Sequence, residues 1–167
     1  TEYCGFTPQS EEWKLMGASS YTKNETVYKK LKNLIDLKPK GKFEIDLNFF
    51  NHYQFHRPKY YNNELIEYLK IDPRHNDKKP MKKIYFDIAN SAQRIFEEVY
   101  FHQIKYLKKV SKSDNLVVSG GCAMNCVANG KINKKTGFKN IFISPVPDDS
   151  GACMGAASYV ANEIYKK

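Results

Sequence analysis

Two short stretches of this 167-residue chain hold residues that could bind a ligand as well as fold. In "LVVSGGCAMNCVANGKI", residues 116–132, an apolar run ends in Gly120 and Gly121 and passes into helix-like spacing. Glycines at a strand-to-helix junction leave backbone amides uncovered, so that a planar or anionic group can approach the main chain. Asn125, one helical turn further on, could bond a base or ribose edge, or it could cap the helix. A turn of purely architectural purpose suits the same residues. The third glycine of a dinucleotide fingerprint is missing, and no Gly-Lys-Ser or Gly-Lys-Thr of a phosphate loop follows.

The second stretch, "ISPVPDDSGACMGAA", sets Asp148 and Asp149 just before Ser150, Gly151 and Ala152. One acid at a helix start satisfies free amides and the helix dipole. Two exceed that need, and a carboxylate beyond the carboxyl end of a strand is well placed for a hard cation that neutralises phosphate charge. Gly151, Gly155 and the alanines between them give a thin helix face that can lie close to a sheet. His52 and His56 show a His-x-x-x-His spacing, but they fall in the aromatic stretch "NHYQFHRPKYYNN", where a structural role is favoured over a metal role. Cys4, Cys122, Cys126 and Cys153 lack paired zinc-ligand spacing and read as buried small apolar residues of a reducing compartment.

The elements that position these residues follow from periodicity. "EEWKLMGASSY" reads as a short helix or turn ending at Gly17. "ETVYKKLKNLIDL" places Val27, Leu31 and Leu34 on one helical face, stopped by Pro39 and Gly41. "KFEIDLNFF" alternates Phe43, Ile45 and Leu47 with Glu44 and Asp46 as a half-buried strand, a brief helix covers Glu64 to Leu69, and "KIDPRHNDKKP" is a polar linker. After Pro80, Ile88, Ala92, Ile95, Phe96 and Val99 predict a helix of about 25 residues. Beyond it come strand "NLVVS", helix "AMNCVANGKINKK" capped by Gly137, strand "NIFIS", and helix "SGACMGAASYVANEIYK". The organisation expected is an irregular α+β part over 1–80 with an insertion, then 81–167 as a helix followed by two strand-turn-helix units. That alternation argues for an α/β layer, a short mixed sheet flanked by helices.

The bulk numbers set bounds. With 41% hydrophobic and 27% charged residues, the chain suits one globular domain. No apolar run is long enough to span a membrane, and no secretory leader follows Thr1, so a cytoplasmic location is the expectation. A net charge of +9 invites a nucleic-acid partner, but the lysines are spread among asparagines without a dense block, and a solvated basic surface is favoured. The non-methionine start suggests a processed product or an internal piece of a longer protein.

With these residues in place, the chain resembles the nodulation-type O-carbamoyltransferase family, which includes antibiotic carbamoyltransferases. "EEWKLMGASSY", "DIANSAQRIFEE", "LVVSGGCAMNCVANGKI" and "ISPVPDDSGACMGAA" carry the resemblance in the family's order, across nearly the whole chain. The resemblance implies the second lobe of an actin-like ATPase (ribonuclease H-like) fold, related to the universal tRNA threonylcarbamoyladenosine protein. It implies that Gly120, Gly121 and Asn125 lie beside the adenosine of ATP or carbamoyl adenylate, with Gly151 counted among the nucleotide-binding positions. It implies Asp149 as ligand of a divalent metal of the iron or magnesium class. Glu12, Lys14 and Gly17 would face the nucleotide or its ribose.

Departures from the family pattern are Asp148 in place of glycine, Cys122 in place of a hydrophobic residue, and "ASS" after Gly17 in place of leucine-alanine-proline. The family's upstream histidine pair for the metal has no counterpart here, and the first phosphate-binding lobe and the C-terminal adenylate-forming domain are missing. The expectation is therefore a fragment, inactive alone, of an enzyme that takes its carbamoyl group from carbamoyl phosphate and passes it to a hydroxyl-bearing small molecule. No residue stands out as general base. A non-catalytic nucleotide-binding or protein-interaction module and a basic RNA-associated protein are the alternatives.

Overall fold

The longest element is α4, Lys83–Ser111, with 29 residues. In this computed structural model, which describes residues 1–75 and 79–165, Ile88, Ala89, Ile95 and Phe101 are buried along it, while Ala92, Phe96 and Val99 are half-buried. The chain forms two compact units, Thr1–Gln103 and Ile104–Lys167.

In the first unit, α1 (Glu12–Ala18) and α2 (Glu25–Lys32) precede a hairpin of β1 (Ile35–Lys38) and β2 (Lys42–Ile45). Asn24 starts α2 by accepting hydrogen bonds from the Thr26 and Val27 amides, at 3.0 and 3.2 Å. The sequence pattern carries that helix on to Leu37, and the structure corrects this. β1 pairs antiparallel with β2, Ile35 opposite Ile45, and Pro39 to Gly41 make the turn instead of a helix stop. Lys40 and Gly41 both have left-handed φ, 62° and 71°, which reverses the chain within the hairpin. His102 on α4 places Nε2 2.8 Å from the Lys38 carbonyl and 3.1 Å from that of Lys42, so one N–H tethers the hairpin. Phe43, expected to face a core, is exposed.

The aromatic stretch closes as a loop through a bridge between Phe50 and Tyr61, and α3 (Asn63–Leu69) follows. Tyr3, Cys4, Val27, Leu34, Tyr61, Leu65, Leu69 and Ile88 form one apolar cluster. The expected polar linker is more tied than its composition suggests: the Arg74 amide donates to the Tyr3 carbonyl at 3.0 Å and the Tyr85 hydroxyl to that of Asp72 at 3.0 Å. Its residues 76–78 lie outside the described residues.

In the second unit, β3 (Asn115–Val118) and β4 (Asn140–Ile143) run parallel, Leu116 opposite Ile141 and Val117 opposite Phe142. The single helix expected between them is broken into a 3₁₀ turn at Gly121–Met124, α5 (Cys126–Asn129) and α6 (Ile132–Thr136). The break has a local cause, since Asn125 ends the first turn and caps the next. Gly137 closes α6 in the left-handed conformation, as the sequence pattern predicts. Ala123, Ala128, Ile132 and Phe138 are buried in this crossover. Of the cysteines expected to be buried, Cys4 is, but Cys122 and Cys126 in this crossover are exposed, because Ala123 and Ala128 take the inward positions, and Cys153 beyond it is exposed as well. α7 (Gly151–Tyr159) widens into a π-helical turn at Val160–Ile164, and residue 166 of the helix expected there lies outside the described residues.

The architecture is thus mixed α/β. The short mixed sheet expected is instead, among the described residues, two separate two-stranded sheets, one antiparallel and one parallel. Among the described residues no helix is long and apolar enough to cross a membrane.

Candidate functional site

Because β3 and β4 are parallel, both chains leave the sheet at the same edge. The glycine turn follows β3 and the acidic turn follows β4. The two turns are joined directly. The Gly120 amide donates to the Pro147 carbonyl at 2.6 Å, and the Ser119 hydroxyl donates to the same oxygen at 3.1 Å. Gly120 has φ 93° and ψ 164°, a region closed to residues with a Cβ. A Cβ built on Gly120 or Gly121 would meet no atom within 4 Å, so open space stands in front of both.

Asn125 spends its Oδ1 on the Ala128 amide at 3.0 Å, the capping geometry. Asn129 locks the same turn by donating from Nδ2 to the Ala123 carbonyl at 2.6 Å. The turn is therefore held from behind while its glycines face outward.

In the acidic turn the amides of Gly151, Ala152 and Cys153 donate to the backbone carbonyls of Asp148, Asp149 and Ser150, at 2.9, 3.1 and 3.3 Å. The start of α7 receives no side-chain cap. Asp148 accepts from the Ser150 hydroxyl. The Asp149 side chain is exposed and makes no hydrogen bond or ion pair among the described residues. Gly151 has a steric reason to be glycine, since a Cβ there would stand 2.6 Å from the Val146 carbonyl oxygen.

Asp149 suits one position of a divalent cation's oxygen shell and no more, because such ions take six or more ligands. Among the described residues no group of three or more His, Cys, Asp or Glu side chains could complete it. His52 and His56 are exposed, and their rings lie edge-on to Tyr53 and Phe55.

The remaining candidates lie on α1, in the first unit. Glu12 accepts from the Gln9 amide at 2.7 Å, and Lys14 pairs with Glu11. That pair, first through the hydrogen bond from Lys14, lowers the Glu11 pKa. A Cβ on Gly17 would meet no atom within 4 Å.

A further set of residues, which periodicity does not single out, holds the loop after α1. The Asp87 carboxylate, on a residue only 2% exposed, accepts from Asn24 Nδ2 at 3.1 Å and from Lys83 Nζ at 3.1 Å. Asn90 donates to the Ser19 carbonyl at 2.7 Å. Burial pushes the Asp87 pKa up, but Thr22, Asn24 and Lys83 outweigh it and the net shift is downward. The Thr22 hydroxyl contributes from outside ordinary bonding geometry. The local signals were an asparagine before "ETVYKK" and an aspartate four residues after a lysine, 63 residues apart in sequence.

The profile of the family described as Carbamoyltransferase N-terminus matches residues 1–158. A Synechocystis protein without an assigned role is 35% identical over 168 residues, covering 98% of this chain and 27% of its own length. Nodulation protein NolNO of Sinorhizobium fredii is 32% identical over 85 residues, 51% of this chain and 12% of its own length. A Methanocaldococcus jannaschii protein, also without an assigned role, is 28% identical over 166 residues, 98% of this chain and 24% of its own length. The chain thus spans about a quarter or less of these relatives.

Proposed function

The chain belongs to the carbamoyltransferase N-terminal family, and on that premise we propose that it is part of an enzyme that transfers a carbamoyl group from carbamoyl adenylate to a hydroxyl of a small molecule. The observation that carries the proposal is the union of two turns at one sheet edge, one offering uncovered glycines and the other an uncommitted carboxylate.

In this reading the fold is the second lobe of an actin-like ATPase. Gly120 and Gly121 give the adenosine a side-chain-free wall, and Asn125 and Asn129 keep that wall in place from behind. Gly151 allows the acidic turn to close against Val146, and that closure sets where Asp149 points. A divalent cation of the magnesium or iron class, held in part by Asp149, supplies neutralisation of phosphate charge. Glu12 and Lys14 are engaged by local bonds within the first unit, and a Cβ on Gly17 would meet no atom; the reading of all three as nucleotide-facing residues rests on the family resemblance alone.

The chemistry is acyl transfer. The acceptor oxygen bonds to the carbamoyl carbon, the bond from that carbon to the phosphate oxygen breaks, and adenylate leaves with the electron pair while the hydroxyl loses its proton. A residue to take that proton, the opposite wall of the cleft, and the domain that makes carbamoyl adenylate from carbamoyl phosphate are assigned to polypeptide beyond these residues.

The test is isothermal titration of the full-length protein with ATP, with and without magnesium, followed by carbamoyl phosphate. Metal is expected to tighten ATP binding by about tenfold in the wild type, worth ~1.4 kcal/mol, and to have no effect in Asp149→Ala. Unchanged metal dependence in the variant removes Asp149 from the site, and absence of ATP binding in the wild type removes the adenosine reading.

A further inference from the structure

The turns after β3 and β4 meet at one oxygen. The Pro147 carbonyl accepts from the Gly120 amide at 2.6 Å and from the Ser119 hydroxyl at 3.1 Å, which uses both of its lone pairs. The first is a bond between backbones. The second belongs to the side chain of Ser119, an exposed residue whose hydroxyl has water as an alternative partner.

Pro147 is a stiff point of the chain. It is buried, its ring fixes its own φ, and Pro145 does the same two residues earlier. Between them the Ser144 hydroxyl donates to the Val146 carbonyl at 3.2 Å and accepts from the Val146 amide at 3.3 Å. On the other side of Pro147, the Asp148 and Asp149 carbonyls accept from the Gly151 and Ala152 amides at 2.9 and 3.1 Å. The Asp149 backbone is thus held between Pro147 and the first turn of α7. The glycine turn has its own braces in Asn125 and Asn129. Each turn is fixed within itself, and their spacing is set where they join.

We propose that Ser119 is a positioning residue whose hydroxyl, through the Pro147 carbonyl, fixes the place of the Asp149 carboxylate relative to the glycine wall. The proposal rests on the adenosine and cation reading of this site. Ser119 itself touches no ligand, because its hydroxyl is engaged by Pro147 and its effect passes along the backbone to Asp149. Affinity for a nucleotide's phosphates and their cation therefore depends on Ser119. Affinity for adenosine does not, since the Gly120 amide and the two asparagines still hold the glycines.

The full-length protein is titrated with adenosine and with ATP, both in magnesium. Ser119→Ala is expected to weaken ATP binding by about fivefold, the size of one neutral hydrogen bond, and to leave adenosine within about twofold of wild type. Ser119→Thr keeps the hydroxyl and is expected to restore ATP affinity. Adenosine weakened as much as ATP means that Ser119 only shapes the glycine turn, and loss of neither means that the Gly120 amide joins the turns unaided; each result overturns the proposal. A wild type that binds no adenosine brings down the nucleotide reading itself, and this proposal with it. Hydrogen exchange on the wild type decides the matter even where the alanine variant does not fold. Saturating adenosine is expected to slow exchange about threefold at the Gly151, Ala152 and Cys153 amides as well as at Gly120. Slowing confined to the glycine turn means that the two turns move independently, and the proposal falls.

Discussion

The first unit spends its polar groups on architecture, and the second leaves some of its own unspent at one sheet edge. In the first, Asp87, Asn24, Lys83, Asn90 and Ser19 bond one another across elements, and Arg94 reaches Glu25 at 2.9 Å while lying 3.7 Å over the Tyr28 ring. In the second, two glycines face open space, the Asp149 carboxylate has no partner among the described residues, and a pair of strands shows its apolar side. A saturated network has little to offer a ligand, because each new bond would replace an old one. Sites are therefore best sought where local structure is rigid yet its outward groups are uncommitted, and the joined turns after β3 and β4 meet both conditions.

The contrast is broken most forcefully through the first unit's core. Leu69, 2% exposed, is expected to cost ~2–5 kcal/mol when changed to alanine, from lost burial and the cavity left behind. Urea denaturation of the full-length protein measures this. A loss below ~1 kcal/mol would mean that the cluster around Leu69 is loosely packed and that the first unit is not the closed partner in the comparison.

A pair of glycines sharpens the comparison within the second unit. Gly151→Ala forces a Cβ onto the Val146 carbonyl, whose backbone has to move, and is expected to cost ~1–3 kcal/mol. Gly121→Ala meets nothing, so its effect on stability is expected to stay within ~0.5 kcal/mol. It nonetheless places a methyl on the proposed adenosine wall and is expected to weaken ATP binding by about tenfold. The two variants should thus separate stability from affinity, as read by melting temperature and titration. Equal loss of stability in both would mean that the glycine turn is architecture alone.

Much of this was legible in the sequence, for reasons specific to each element. The α4 pattern is long enough for its period to be unmistakable, and the strands "NLVV" and "NIFI" are short apolar runs bounded by turn residues. The hairpin was not legible, because Val27, Leu31 and Leu34 keep helical spacing beyond the end of α2. What ends that helix is strand pairing with Lys42–Ile45, a non-local bond that no window over residues 25–37 contains. The Asp87 network was hidden in the same way, by 63 residues between partners. For the acidic turn the residues offered two uses for the aspartates, cap or ligand. The capping role went to backbone carbonyls, which only the folded turn could reveal.

The smallest expected effect concerns a second acid in the same unit. Asp114 accepts from Lys108 at 2.6 Å and from Lys139 at 2.7 Å, tying the end of α4 to the start of β4. The hydrogen bonds from Lys108 and then Lys139 pull its pKa from the ordinary 3.8 down to about 2. A carboxylate with a depressed folded-state pKa adds stability that is fully present above its unfolded pKa and is lost as pH falls through the folded one. The window is therefore from about pH 4 down to about pH 2. Because Asp114 is 47% exposed, solvent screens the pair and the contribution is small. Denaturation of the wild type and Asp114→Asn across that window should show a shallower acid loss in the variant, and concentrated salt should shrink the difference. Identical acid profiles would mean that the two lysines are held by solvent alone. In that case Asp114 would join Asp149 as an unspent acid, and an unpartnered carboxylate would no longer mark one turn of this unit over another.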